Sequence, residues 1–176
     1  MAIEGKNVRL RPMEESDVQL KIDWFNDPEI NKTLVVTEKF ELEKSIQWFK
    51  KAVKDPSRCD FVIETDLGEP IGLVGLVHID NIHSTAEIYL VIGDKSYWGK
   101  GVMLEAEKLL IGWAFDKFDL QKITAPSLAE NVASIVTMKK LGFKIEGTLR
   151  QEKYLQGKRV DIIQFGLLRD EFKLMF

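Results

Sequence analysis

Two spacings of apolar residues alternate along this chain. At a period near 3.6, Val18, Ile22 and Phe25 predict a helix over 14–25, and Leu42, Ile46, Phe49 and Val53 predict a second over 40–54. Asn26-Asp27-Pro28 ends the first and Asp55-Pro56 the second, because a proline biases the residue before it away from helix. A short extended segment at 8–11 precedes both and stops at Pro12. Three strand-like runs follow at 59–65, 70–79 and 86–92, with a turn at Asp66-Leu67-Gly68. The third run alternates: Ala86, Ile88, Leu90 and Ile92 share one face, and Glu87, Tyr89 and Val91 share the other. Short turns between strands predict antiparallel hairpins. A glycine-bearing stretch at 93–101 then leads into a helix over 102–118, with Met103, Ala106, Leu110 and Ala114 on one stripe. After it come a short strand at 122–126 and a helix over 131–141 closed by Gly142, a residue suited to the left-handed position that ends helices. Two further strands are expected at 143–149 and 160–168, joined by a loop containing Gly157. Helices and strands are mixed and the middle strands lack helices between them. The pattern predicts one α/β (α+β) domain built on a mixed sheet with helices against it.

Composition narrows the class. With 176 residues, 45% hydrophobic and 30% charged, the chain can bury one real core. A net charge of -3 excludes a basic nucleic-acid-binding surface. No apolar run approaches the ~20 residues that cross a bilayer, and the first ten residues do not read as a secretory signal. Cys59 is the single cysteine, so no internal disulfide can form. These features predict a soluble cytoplasmic protein with no membrane partner.

The sharpest chemical feature is Tyr97-Trp98-Gly99-Lys100-Gly101-Val102, between a strand and a long helix. Two glycines one residue apart let the main chain turn without side-chain clash. A helix start offers unpaired N–H groups and partial positive charge, which suit a phosphate or pyrophosphate. Lys100 adds charge at the rim. The same residues also fit a plain tight turn that caps a helix. Spacing excludes two other phosphate loops. A P-loop needs four residues between its glycines, whereas five separate Gly93 from Gly99, and Lys100 is followed by Gly101. The dinucleotide fingerprint needs glycine where Leu104 stands.

The run Ala86-Glu87-Ile88, Gly93, Tyr97-Trp98-Gly99-Lys100-Gly101, Glu105-Ala106 resembles the Gcn5-related N-acetyltransferases. The resemblance is strongest to their ribosomal-protein alanine and spermidine acetyltransferase branch. Asn7-Val8-Arg9-Leu10-Arg11-Pro12 with Glu15-Ser16-Asp17 resembles the branch's opening. Asn131-Val132-Ala133-Ser134-Ile135, Lys140-Leu141-Gly142-Phe143, Glu146-Gly147, Leu149-Arg150, Gly157 and Asp161 resemble its closing half. One departure is Ser96, where the family's loop usually has Gln or Arg.

The resemblance implies a mostly antiparallel sheet of about seven strands with about four helices and a V-shaped splay between strands four and five. It implies acetyl-CoA as co-substrate and direct attack by a primary amine in a ternary complex. The acceptor could be a protein N-terminus, a polyamine, an amino sugar or a small amine. Pantetheine is expected against Val91, Ile92 and Gly93, and the pyrophosphate against Trp98, Gly99, Lys100, Gly101, Val102 and Met103. Asn131 resembles the family asparagine that meets pantetheine, and it is also a good helix N-cap. An amine is protonated at neutral pH and needs a base. Glu87 is the candidate, with an ordinary strand glutamate as the other reading. An N–H near Val91 is expected to steady the oxyanion. Met138 stands where many relatives carry a tyrosine that protonates the thiolate. Ser134, one turn earlier, is the replacement considered first and Tyr154 the second, with plain packing as the alternative for Ser134. Trp24, Phe25 and Tyr89 are expected to shape the acceptor pocket.

No metal site is expected: His78 and His83 lack further ligands at metal spacing and read as surface residues. A non-catalytic acyl-CoA-binding protein is the competing function, favoured only by Met138. A homodimer is expected through the C-terminal apolar residues Phe165, Leu167, Phe172 and Phe176.

Overall fold

The alternating runs over 59–92 become the middle of an eight-stranded sheet in a computed structural model that describes residues 2–36 and 38–175. The strands are β1 (Ile3–Glu4), β2 (Val8–Pro12), β3 (Cys59–Thr65), β4 (Pro70–Asp80), β5 (Thr85–Ile92), β6 (Lys122–Leu128), β7 (Lys144–Leu155) and β8 (Lys158–Leu168). The helices are α1 (Val18–Asn26), α2 (Pro28–Asn31), α3 (Leu42–Ala52), α4 (Val102–Phe118), α5 (Val132–Lys140) and α6 (Arg169–Met175). Strand order is β1-β2-β3-β4-β5-β6-β8-β7, and only β5 and β6 pair in parallel.

Each face of the sheet has its own core. Phe61, Ile63, Val74, Leu76, Ile88 and Ile92 pack with Ala106, Leu110, Ile111 and Ala114 of α4. Val62 and Leu73 point the other way and pack with Val18 and Ile22 of α1 and Phe49 of α3. Neighbouring residues of β3 therefore serve opposite cores, as the two-residue period of a strand requires. Leu110 and Ile111 are fully buried, so truncating either to alanine costs about 2–5 kcal/mol.

Four elements exceed the sequence expectation, β1, α2, the far end of β7 and α6, and each is too short or irregular to show a period. β1 has two residues and is pinned by Glu105, whose carboxylate accepts N–H bonds from Lys6 and Asn7, both 2.7 Å. Pro28 does not only end α1. It opens α2, with the Asp27 side chain accepting from the N–H groups of Glu29 and Ile30, and proline suits the first position of a helix. β7 runs six residues past the expected end at Leu149, through a register shift between Leu149 and Lys153. Gln156 and Gly157, both at positive φ, then make the two-residue turn into β8.

The opening motif has a structural role. Arg11 bridges Glu64 and Asp17 at 2.7 and 2.8 Å, and Arg9 holds the other Glu64 oxygen at 2.7 Å. The C-terminal surface expected for dimerisation is not where it was sought. Phe165 and Leu167 are core residues, and Phe172 packs partly buried against the same core. Phe176 lies outside the described residues. The exposed apolar residues of this region include Ile145, Leu149 and Tyr154 of β7, Val132 and Val136 of α5, and Leu168 and Met175.

Candidate functional site

β5 and β6 pair over three positions only, Thr85↔Lys122, Ala86↔Ile123 and Glu87↔Thr124. Beyond them the strands separate. β6 stays paired with β8 as far as Leu128↔Ile162, and β5 stays paired with β4 up to Gly72↔Ile92. The edge of β5 facing β6 is therefore open after Glu87. Alternation fixes which groups line it. Gly93 donates its N–H to Ile71 O at 2.9 Å, and Val91 is paired with Leu73, so the main chain of both faces β4. The N–H near Val91 expected for the oxyanion is thus turned away from the gap, and so is that of Gly93. Ile88, Leu90 and Ile92 present their main-chain groups to it. Ile92 O already accepts the Trp98 indole N–H at 3.1 Å. The sequence showed the alternation, but which edge was free depended on the β4 register.

The loop after β5 has the backbone geometry that the expected cradle requires. Gly99 and Gly101 have φ of +74° and +82°, and a Cβ on either would meet nothing within 4 Å. These glycines are required by conformation rather than by crowding. Gly101 occupies the N-cap of α4 with no side-chain cap, so the first-turn N–H groups of Val102 and Met103 point into open space. Lys100 is less available than expected: its N–H donates to Tyr97 O at 3.3 Å and its ammonium sits 4.9 Å from the Tyr97 ring. Lys95, which the motif did not single out, ties this loop to α2 through Asp27 at 2.9 Å and Glu29 at 3.0 Å. Open space over left-handed glycines at an uncapped helix start fits a pyrophosphate.

On the far side of the gap, Asn131 caps α5. Its side-chain oxygen accepts from Ser134 N at 3.2 Å, and its amide donates to Thr33 O at 3.4 Å. The capping role is therefore present, and one amide hydrogen remains for a ligand. Met138 is buried in the α4 core, where it donates nothing. Ser134 lies one turn before it on the same face of α5, partly exposed, with no hydroxyl hydrogen bond among the described residues. Tyr154 stands exposed on β7 with Arg159 over its ring, in the strand at the far edge of the sheet.

The remaining wall consists of side chains. Trp24 lies flat against the end of β5, and a Cβ at Gly93 would fall inside its ring. Gly93 is thus needed for close approach, not for its backbone angle. Phe25 meets Phe40 edge-on at 5.1 Å. The Asn26 side chain both donates to and accepts from the Phe40 main chain, each bond 2.9 Å, and so fixes the loop before α3. Glu87 lies at the fork of the gap with its side chain 31% exposed, and His78 is 3.9 Å away. His78 reaches it from a register shift in β4 with φ +53°, a feature that residue spacing does not reveal. Tyr89 is on the same strand face. Its hydroxyl donates to Asp60, which is also paired with Arg58 at 2.6 Å. Tyr89 therefore supports the wall from beneath.

Two further titratable groups, the half-buried Cys59 and the buried Glu107, lie off this line. Burial pushes the Cys59 thiol up to about 11, which removes it as a nucleophile. Glu107 of α4 is 4% exposed, and burial pushes its carboxyl up to about 8.

A parallel strand pair that forks beside a left-handed glycine loop, with a carboxylate at the fork, defines an acyl-coenzyme A transferase. Residues 7–144 match the acetyltransferase (GNAT) domain family. An uncharacterized N-acetyltransferase p20 of Bacillus licheniformis is 30% identical over 171 residues, 95% of this chain and 96% of its own. Spermidine N(1)-acetyltransferase of Escherichia coli is 30% identical over 166 residues, 94% of this chain and 88% of its own. Among solved structures, spermidine N-acetyltransferase from Vibrio cholerae in complex with CoA and spermine superposes with a TM-score of 0.89 at 25% identity, covering 95% of this chain and 98% of that one. The chain belongs to the GNAT acetyltransferase family. It is an N-acetyltransferase that uses acetyl-CoA and transfers the acetyl group to an amine. No helix among the described residues is long and apolar enough to cross a membrane.

Proposed function

We propose that the acceptor is a primary amine that enters between β5 and the α1–α3 wall and is deprotonated through Glu87. The observation that carries this reading is the end of β5–β6 pairing at Glu87↔Thr124, which puts a carboxylate beside the open strand edge. Acetyl-CoA supplies the acetyl group as a thioester. Glu87 takes the ammonium proton, directly or through one water, so that nitrogen has a lone pair to attack with. The N–H groups of Leu90 and Ile92 face the gap and suit the oxyanion that forms. Ser134 is the group we assign to hydrogen-bond the departing sulfur and to relay to it the proton that the nitrogen sheds as the amide forms. A thiol of pKa near 8.5 is already a fair leaving group, so this step needs little help.

Pyrophosphate is assigned to the N–H groups of Gly99, Gly101, Val102 and Met103, with Trp98 and Lys100 at the rim. Pantetheine is assigned to the open edge of β5 around Ile92 and to Asn131. Trp24 and Phe25 shape the acceptor side. Spermidine, named for the Escherichia coli relative, sets the starting chemistry: an amine on a flexible aliphatic chain. Protein N-termini, amino sugars and small amines complete the range.

A cytoplasmic location agrees with the one free, half-buried cysteine. We also propose a dimer through β7 and α5. β7 is a long edge strand with Ile145, Leu149 and Tyr154 exposed, and an uncovered strand of this kind seeks a partner. A thiol-release assay with acetyl-CoA over an amine panel tests the function. Acceptor-dependent CoA release is expected. Binding of CoA with no release on any amine would instead make the chain a non-catalytic acyl-CoA binder.

A further inference from the structure

Lysine is almost never fully buried unless it is paired. Lys21, on α1, is 7% exposed, and among the described residues no carboxylate comes within ion-pair distance of it. Aromatic rings surround its ammonium instead. Nζ lies 3.2 Å from the centre of the Trp48 ring, 5.2 Å from that of Phe40 and 5.4 Å from that of Phe25. All three distances fall within the range in which a ring face attracts a cation. Asp60 is the nearby anion, but its oxygens are taken: Arg58 donates to both, at 2.8 and 2.6 Å, and Tyr89 donates to one. Asp60 still favours the Lys21 charge from a distance, while burial and Arg58 oppose it and leave the amine at about 8.

This arrangement is an ammonium box filled by the protein's own side chain. It is not needed for packing. The neighbours on the buried stripe of α1 are Val18 and Ile22, and a leucine or methionine at 21 would fill the same space without burying a charge. The location is what gives it use. Phe25 and Lys21 share a helix with Trp24, whose ring covers Gly93 at the end of the β5 edge. Tyr89 is linked to the box through Asp60 and then Arg58, whose guanidinium lies 4.8 Å from the Trp48 ring, and it stands two residues from Glu87 on the same strand face. The box therefore belongs to the acceptor side of the fork.

We infer that Lys21 is a specificity-determining residue that occupies the place of a second substrate ammonium, so that within the acceptor range proposed above this enzyme favours amines carrying one positive charge over polyamines. A diamine held at Glu87 needs a home for its distal cation. Here the aromatic seat is filled and already positive, so the distal cation meets repulsion where it would otherwise find π faces. Discrimination built on a like charge is a standard way to exclude the wrong partner.

The kinetic arm of the test rests on the acetyl-transfer reading, and the binding arm does not. In the binding arm, Lys21→Ala is heated with n-butylammonium chloride or with equal sodium chloride. The ammonium salt is expected to raise the melting temperature of Lys21→Ala and shift its tryptophan fluorescence, while wild type and Lys21→Met respond alike to both salts. Equal responses in Lys21→Ala and wild type would overturn the box. Should Lys21→Ala not fold, folding restored by n-butylammonium supports the inference, and the kinetic arm decides with Lys21→Met. There, kcat/KM is compared for 1,5-diaminopentane and n-pentylamine, which differ by one charge. Wild type is expected to favour the monoamine about tenfold, Lys21→Arg to keep that ratio, and Lys21→Met to erase most of it. A wild type that prefers the diamine, or a ratio unmoved in an active Lys21→Met, would overturn the inference. No CoA release with any amine would defeat the acetyl-transfer reading instead, and the ammonium response alone would then decide the role of Lys21.

Discussion

The two sides of the gap are made of different material. On the side assigned to the cofactor the groups facing the gap belong to the main chain: the open edge of β5, two left-handed glycines and the uncapped start of α4. On the acceptor side they belong to side chains: Trp24 on Gly93, Phe25 against Phe40, and Lys21 among three rings. Main-chain chemistry does not depend on residue identity, so the cofactor side tolerates changes of side chain at its rim. Side-chain chemistry changes with each substitution, so the acceptor side is where this chain can depart from its relatives. In the proposed assignment one side sets the reaction and the other sets who receives the acetyl group.

The division can be tested first at the fork, where the sides meet. Glu87→Gln keeps size and removes the base. The expectation is a fall in kcat of about 1000-fold with CoA affinity unchanged, measured by thiol release and calorimetry. A matching fall in CoA affinity would show that Glu87 serves the cofactor side instead.

A second test concerns the helix on which the cradle rests. Glu107 has a folded pKa of about 8 against an ordinary 4.5. Folding raises this pKa, so the folded protein holds a proton that the unfolded chain releases between those values. Stability is therefore greatest below about pH 4.5 for this group and declines as pH rises through about 8. Glu107→Gln removes the titration and is expected to gain about 2–3 kcal/mol at pH 8 in urea unfolding, with little gain at pH 5. The same gain at both pH values would contradict the assignment.

The smallest effect is expected at Ser134. Because CoA thiolate leaves readily, Ser134→Ala should lower kcat about fivefold and leave the amine KM unchanged. An unchanged kcat would reduce Ser134 to packing beside Met138.

Periodic elements were legible in the sequence and irregular ones were not. The stripe Met103, Ala106, Leu110 and Ala114 marked α4, and the alternation of 86–92 marked β5, because each repeats its signal over several turns or pleats. α2 was hidden because Asp27-Pro28 reads equally as the end of one helix and the start of another. The turn proposed as the cradle was legible because glycines at Gly99 and Gly101 are demanded by backbone angle. Its neighbour Gly93 looked the same in sequence, yet it answers to the Trp24 ring from a distant helix. The direction of the Val91 amide depended on pairing with Leu73, and the box around Lys21 drew on α1, α3 and the loop between α2 and α3. Contacts across the fold leave no local spacing to read.

The claim that matters most is that main-chain amides, not a basic side chain, hold the coenzyme. Calorimetric titration of CoA into wild type, Lys100→Ala and Gly101→Val tests it directly. Valine is strained in the left-handed conformation by about 1–2 kcal/mol and turns the cradle amides away. The account predicts about 100-fold weaker binding for Gly101→Val and at most about threefold for Lys100→Ala. A folded Gly101→Val that binds CoA as wild type does, beside a Lys100→Ala that has lost it, would contradict the account.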